Sequence, residues 1–365
     1  MNLSRSIVTL RPHISRSCLC AAGILRLSHT SPVIVNLPRY VSTIPRGERP
    51  QTGISETARR VGESGRQYLI ERILQEKGNP PCRVCLASDA NEKFILKDVP
   101  PAQFDHIQGM YRSLDGNQYL RLSEDVVLGR STFVYRYFVD HLLNLARQDL
   151  PVVLIKRILR DMLRGLAALH KQNIVHTDIK ANNILVNWNK DDRGISIQQV
   201  KLADLEDATR VNPDSDIVGI QVGNPMWRSP EAHTQARVNK PSDIFSFGIV
   251  CIYVMTKQVI FAVDEGDLEE GEEPLAVILE RQISYFADEE GLNAFMKYLG
   301  DSPWCQVLEV LRDGFNKSNP RKPISLWTGI DDDFKDLIMG LTKFDPAQRL
   351  TADKALKHRW FGDIE

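Results

Sequence analysis

The chain has 365 residues, of which 42% are apolar and 25% charged, with a formal net charge of −1. This is the balance of a globular protein, and the length suits a two-lobed enzyme preceded by a tail. No run reaches the ~18 apolar residues that a membrane-spanning helix needs, so no stable membrane insertion is expected. The near-zero charge gives no electrostatic case for a nucleic-acid partner.

The charge is unevenly spread. Arg5, Arg11, Arg16, Arg26, Arg39 and Arg46 stand among many serines, and no acid precedes Glu48. An Arg-rich, Ser-rich, acid-free start is the composition of a mitochondrial transit peptide, here residues 1–41 with a cut near Arg39-Tyr40-Val41-Ser42. The plainer reading is a disordered basic tail on a cytoplasmic protein. Residues 42–66 carry Gly47, Pro50, Gly53, Gly62 and Gly65 and read as a polar linker. Six cysteines do not make a disulfide framework. Cys82-Arg83-Val84-Cys85 has no second Cys/His pair at zinc spacing, and both cysteines read as half-buried packing residues.

From Tyr68 the pattern is of short strands: Tyr68 to Leu74, Arg83 to Ala87 and Lys93 to Asp98, parted by Gly-Asn-Pro-Pro and Asp-Ala-Asn turns. A helix over Pro100 to Leu114 follows, then strands over Tyr119 to Leu122 and Ser131 to Phe138. The second half is largely helical. Asp149-Leu150-Pro151 opens a helix whose Ile155, Leu159, Met162, Leu166 and Leu169 recur at helical spacing and form one buried face. Thr351 caps a last helix with Asp353 in its first turn. Seven acids fall within Asp264–Glu273, a run that reads as a solvated loop.

Ile174-Val175-His176-Thr177-Asp178-Ile179-Lys180-Ala181-Asn182-Asn183-Ile184-Leu185-Val186 resembles the protein-kinase catalytic loop H-R-D-x-x-x-x-N, with its Asp and Asn five residues apart. Val200-Lys201-Leu202-Ala203-Asp204-Leu205-Glu206 stands where kinases carry D-F-G. Gly223-Asn224-Pro225-Met226-Trp227-Arg228-Ser229-Pro230-Glu231 resembles the segment ending in A-P-E. Asp243 in Ser242-Asp243-Ile244-Phe245-Ser246-Phe247-Gly248 matches the buried aspartate that anchors the catalytic loop. In the first half, Phe94-Ile95-Leu96-Lys97 matches V-A-I-K, and Val134-Tyr135-Arg136-Tyr137-Phe138 sits where the hinge belongs.

The resemblance covers roughly residues 67–362 and points to the protein kinase superfamily, as a divergent, fungal-type kinase-like member of Ser/Thr type. It implies an α+β bilobal fold, with a small β-rich N-lobe over about 67–137 and a larger helical C-lobe over about 138–362. It also implies ATP and Mg2+ as cofactors and a protein as substrate. By resemblance, Asp178 orients the substrate hydroxyl and Lys180 lies against the γ-phosphate, while Asn183 and Asp204 hold the metal. Lys97 holds the α- and β-phosphates, Val84 and the Tyr135 to Tyr137 hinge line the base, and Tyr135 is the gatekeeper. Glu231 pairs with Arg349.

Four departures bear on mechanism. Gln75-Glu76-Lys77-Gly78-Asn79-Pro80-Pro81-Cys82 has one glycine where the phosphate cover should be glycine-rich, and its prolines remove backbone donors. Glu206 replaces the D-F-G glycine, to bind a cation, repel phosphate or point outward. The helix before the hinge has no clear glutamate for Lys97; Gln108 or Asp105 stands nearest. Thr177 replaces the H-R-D arginine and Asn224 the threonine of the substrate segment, which implies that phosphorylation of Thr209 or Ser215 is not required. Two functions follow: a Ser/Thr protein kinase with its side-chain chemistry intact, or a pseudokinase that acts as a scaffold or nucleotide-dependent regulator.

Overall fold

The structure, a computed structural model, describes residues 59–79, 82–212, 214–268 and 273–364. The Arg-rich start, the Pro80-Pro81 pair and the centre of the acidic run lie outside the described residues. Among the described residues no helix is long and apolar enough to cross a membrane.

A six-stranded antiparallel sheet forms the first half: β1 (Arg59–Val61), β2 (Gln67–Lys77), β3 (Cys82–Asp89), β4 (Glu92–Asp98), β5 (Asp125–Val126) and β6 (Thr132–Arg136), in the order β1-β2-β3-β4-β6-β5. The sheet thus begins at Arg59, inside the stretch whose composition reads as linker. The expected strand over Tyr119 to Leu122 is reduced to one bridge, from Leu120 to Leu202. Those residues engage the second half of the chain instead of the sheet, with Leu202 N–H donating to the Tyr119 carbonyl at 2.8 Å.

The pleat decides which side chains meet. In β4 and β6, Ile95 lies opposite Tyr135 and Lys97 opposite Phe133, so all four share one face of period two. Helix α1 (Pro101–Ser113) covers that face, with Phe104 stacked on Phe133 at 4.7 Å and Tyr111 at 5.3 Å from the same ring. The opposite face buries Phe94, Leu96 and Val134 against Tyr68, Cys85 and Ala87. Cys85 is therefore a packing residue. Among the described residues no group of three or more His, Cys, Asp or Glu is placed to hold a metal ion by itself.

In the second half, the two-residue strand β7 (Asp140–His141) leads into α2 (Leu142–Leu145) and then α3 (Val152–Lys171), which buries Ile155, Leu159, Met162, Leu166 and Leu169. β8 (Ile174–Val175) leads to the loop carrying Asp178, and β9 (Ile184–Asp191) and β10 (Gly194–Leu202) form a hairpin behind it. β11 (Thr209–Arg210) pairs back onto β8. Then come α4 (Pro230–His233), α5 (Lys240–Thr256), α6 (Pro274–Phe286), α7 (Glu289–Leu299), α8 (Trp304–Asp313), α9 (Asp332–Leu341) and α10 (Ala352–Leu356).

Helix α5 is the centre of this half: Ser242 to Val254 are all buried. Such a helix is apolar on every side, because other elements surround it. Gly248 lets the end of α9 come close; a Cβ there would sit 2.7 Å from the Thr342 methyl. Asn239 caps the first amide of α5. Thr351 likewise caps α10, as its sequence suggests.

Arg349 and Glu231 meet as a forked pair, with Nη1 to Oε1 at 2.5 Å and Nη2 to Oε2 at 2.8 Å. Their side chains are 0% and 1% exposed. Arg349 also donates to the carbonyls of Lys343, Pro241 and Phe344, which satisfies the rest of its fork. Removing one partner strands the other charge in the core, at a cost of roughly 3–5 kcal/mol. Arg349→Met should lower the denaturant-measured unfolding free energy by that amount, and a loss near zero would contradict the burial.

Candidate active site

Asp243 stands in the first turn of α5, where the helix dipole favours an anion. Its carboxylate accepts the backbone N–H of His176 at 2.8 Å and of Thr177 at 2.9 Å, and contacts His170 Nε2 at 2.9 Å. These bonds hold Thr177 in the left-handed region, φ +68°, which no ordinary strand-to-loop path would give a threonine. His176 closes the other side through its Nε2, 2.9 Å from the Ala203 carbonyl, one residue before Asp204.

Asp178 emerges from this frame. Lys180 Nζ donates to its Oδ2 at 2.5 Å and the Asn224 N–H to its Oδ1 at 3.1 Å. Asn183 Nδ2 donates to the Asp178 carbonyl at 2.8 Å and to Oδ2 at 3.3 Å. The Asn183 amide oxygen is then the atom left for a hard cation. Gly223 explains how Asn224 comes so close: at φ +77° a Cβ would lie 2.5 Å from the Thr177 carbonyl oxygen.

Asp204 is also left-handed, φ +65°, and opens the short 3-10 turn Leu205–Asp207. Leu205 is fully buried. Its two neighbours both reach Lys97: Asp204 in a close ion pair, and Glu206 through Oε1 at 3.1 Å. Burial alone would push the Asp204 carboxyl up, but the Lys97 ammonium outweighs it and holds it below the usual carboxylate range. For Lys97, burial acts to lower the pKa, and Glu206 and then Asp204 more than reverse it.

Glu206 Oε1 also accepts the Tyr135 hydroxyl at 2.8 Å. Because Tyr135 gives its proton there, Tyr111 donates to the Tyr135 oxygen, 2.9 Å away. Burial pushes both phenols well above their ordinary pKa, so both stay neutral. Glu206 does not point outward: its side chain is 11% exposed and binds a cation, Lys97.

The helical partner expected for Lys97 is corrected. Asp105 is exposed. Gln108 accepts from Arg112 at 2.8 Å, one turn along the same helix. The inward face of α1 instead presents Ile107, Met110 and Tyr111.

A cavity of about 180 Å³ brings together Lys97, Tyr135, Asn183, Asp204 and Glu206, with Leu185 and Ala203 as apolar wall. Asp178 and Lys180 lie beside Asn183. Val84 sits in β3 opposite Lys97 and is not part of that lining. Tyr137 is not part of it either; its N–H donates to the Lys93 carbonyl at 3.1 Å and so continues the sheet. Sequence reasoning gave no site role to Asn182, Leu185, Ala203 or Arg121, and of these Arg121 brings a charge to the lining. Its guanidinium lies 4.8 Å over the Tyr135 ring and donates to the Arg136 carbonyl at 3.0 Å. No motif or spacing marks it, because its role depends on a bend between helix and sheet.

The protein kinase domain family matches residues 88–361. Among curated relatives, "Extracellular signal-regulated kinase 1" of Dictyostelium discoideum is 26% identical over 303 residues, covering 77% of this chain and 53% of the relative. "Cyclin-dependent kinase B2-1" of Oryza sativa subsp. japonica is 26% identical over 238 residues, 64% of each chain. "Cyclin-dependent kinase 4" of Ovis aries is 28% identical over 217 residues, 59% of this chain and 62% of the relative. The chain spans about half to two thirds of the length of these relatives. It belongs to the protein kinase family.

The described residues between Asp204 and α4 are held by hydrogen bonds. Asn239 Nδ2 donates to the Ser215 carbonyl at 3.0 Å and to Asp216 at 2.9 Å. Ile217 and Val238 exchange backbone bonds at 2.9 and 2.8 Å. Arg228 donates to the carbonyls of Val222 and Gly223, and Thr177 to that of Asp207 at 3.3 Å. Amide, hydroxyl and guanidinium donors hold this segment, and Thr177 offers no cation for a phosphate. The double variant Thr209→Ala/Ser215→Ala should therefore keep its melting temperature and any phosphate transfer. Loss of transfer in a folded double variant would show that the segment needs modification.

Proposed function

We propose that this chain is an ATP-dependent protein kinase that transfers the γ-phosphate to Ser/Thr hydroxyls of protein substrates. The observation that carries the reading is Asp178 within a built frame, bonded by Lys180, Asn183 and the Asn224 amide. One carboxylate held by three donors is a positioned proton acceptor. Lys180, two residues after it, favours a Ser/Thr hydroxyl as acceptor.

The residues fit the expected cofactor. Asp204 and Asn183 offer the hard oxygen donors that Mg2+ takes, and bound with ATP this ion would neutralise developing phosphate charge. Asp178 orients the substrate hydroxyl and accepts its proton at a carboxylate oxygen. Lys180 stands beside that oxygen, where it offsets negative charge on the transferring group. Lys97 steers the phosphates.

One observation favours a second reading, a pseudokinase that acts as a nucleotide-dependent regulator. The cavity is small for a nucleotide, and Lys97 is already closed onto Asp204. Nucleotide entry must part that pair.

Phosphate transfer from labelled ATP with Mg2+ separates the two. Wild-type protein should label a general Ser/Thr substrate, and Asp178→Asn should lose roughly 100-fold or more while keeping nucleotide-dependent thermal stabilisation. Stabilisation without transfer in the wild type would establish the regulator instead.

The N-terminal composition supports mitochondrial import with removal of residues 1–41. Residues 1–50 fused to a fluorescent reporter should carry it into mitochondria and be shortened there. Diffuse cytosolic fluorescence at full length would reject this.

A further inference from the structure

Two departures from the family pattern fall at one place: a carboxylate at the position of a glycine, and no carboxylate on the inward face of α1. We propose that the first answers the second: Glu206, held by the Tyr135 hydroxyl with Tyr111 bonded behind it, is the carboxylate that positions Lys97 for nucleotide phosphates. This rests on the kinase reading above and names a positioning residue for it.

Lys97 has two carboxylates within ion-pair distance among the described residues, Asp204 and Glu206. Asp204 is the residue whose oxygens suit a metal, so it cannot remain the partner of Lys97 when the site is loaded. Glu206 can. Its side chain is 11% exposed against 38% for Asp204, so its attraction for Lys97 is the less screened of the two. One oxygen, Oε1, accepts from both the ammonium and the Tyr135 phenol. Tyr135 fixes where that oxygen sits. Tyr111 then brings α1 into the same chain of bonds across 2.9 Å. The helix acts on Lys97 through a neutral relay, not through a charge of its own.

The test uses Glu206→Gln, which keeps size and an acceptor for Tyr135 but removes the charge. With one of its two carboxylate partners gone, Lys97 is held less closely and stands more open to reagent, so in nucleotide-free protein its acylation by an amine-reactive ester should quicken about threefold or more. Mass spectrometry of the Lys97 peptide reads this without any catalytic assay. The KM for ATP with Mg2+ should rise roughly tenfold with a fall in kcat. Gln108→Ala should change neither. If Glu206→Gln unfolds, Glu206→Gly carries the same test with the same expected directions. Unchanged Lys97 labelling in a folded Glu206 variant would overturn the proposal, as would a Gln108→Ala variant that reproduces the effect. Labelling does not depend on transfer, so a wild-type protein without activity would defeat the kinase reading and leave this one decided by Lys97 alone.

Discussion

One buried carboxylate carries the geometry of the site. Asp243 sits at the start of a helix that is enclosed along nearly its whole length, so its position is set by the core. It accepts two successive loop amides and thereby forces the left-handed turn at Thr177. Everything with chemistry downstream inherits that turn: Asp178 projects from it, Asn183 bonds back to it, and Gly223 is required because the Thr177 carbonyl lies so near. Leaving Asp243 without its amides, or the amides without Asp243, would bury unpaired polar groups at about 1–3 kcal/mol each. The loop and the core helix are therefore stable only together.

The cleft edge works on a different basis. On the side of the helical half, backbone amides bonded to Asp243 and Asp178 fix the loop. On the sheet side the holding is by charges and phenols: Lys97 between two carboxylates, Tyr135 and Tyr111 behind them, and Arg121 over an aromatic face. A sequence that places two prolines and one glycine in the phosphate cover has given up backbone donors there. The residues around Lys97 show the same shift, from main-chain contacts toward ionised side chains. Such contacts are strong where water is excluded and weaken where it enters.

That division also decides what could be read from the residues alone. His176, Asp178, Asn183 and Asp204 are legible because their spacing is fixed by a loop and a hairpin, which are local structures. Glu231 with Arg349 is legible only through family resemblance, since 118 positions separate the partners. The contact of Glu206 with Lys97 has neither aid. A carboxylate at a glycine position gives no direction in sequence, and the helix read over Pro100 to Leu114 offers only Gln108 or Asp105, while its buried face carries Ile107, Met110 and Tyr111. Tyr119 to Leu122 reads as a strand by composition, yet it pairs once, with Leu202, because the chain there leaves the sheet for the helical half. Arg121 follows from that bend and from nothing local.

The charges of the cleft explain why one arrangement supports both functional readings. Lys180 is matched by Asp178, and Lys97 by Asp204 with Glu206, while Arg121 rests on the Tyr135 ring and the Arg136 carbonyl. Three cations thus stand with three carboxylates in the cleft. On the proposed kinase reading, a bound triphosphate would compete with Asp204 for Lys97. If Glu206 keeps Lys97 in place through that exchange, the site arrives at a loaded state with its cation already aimed. If it does not, Lys97 is drawn out of register and the cleft binds without reacting. The difference between an enzyme and a regulator on this scaffold then comes down to how firmly Tyr135 and Tyr111 hold one glutamate.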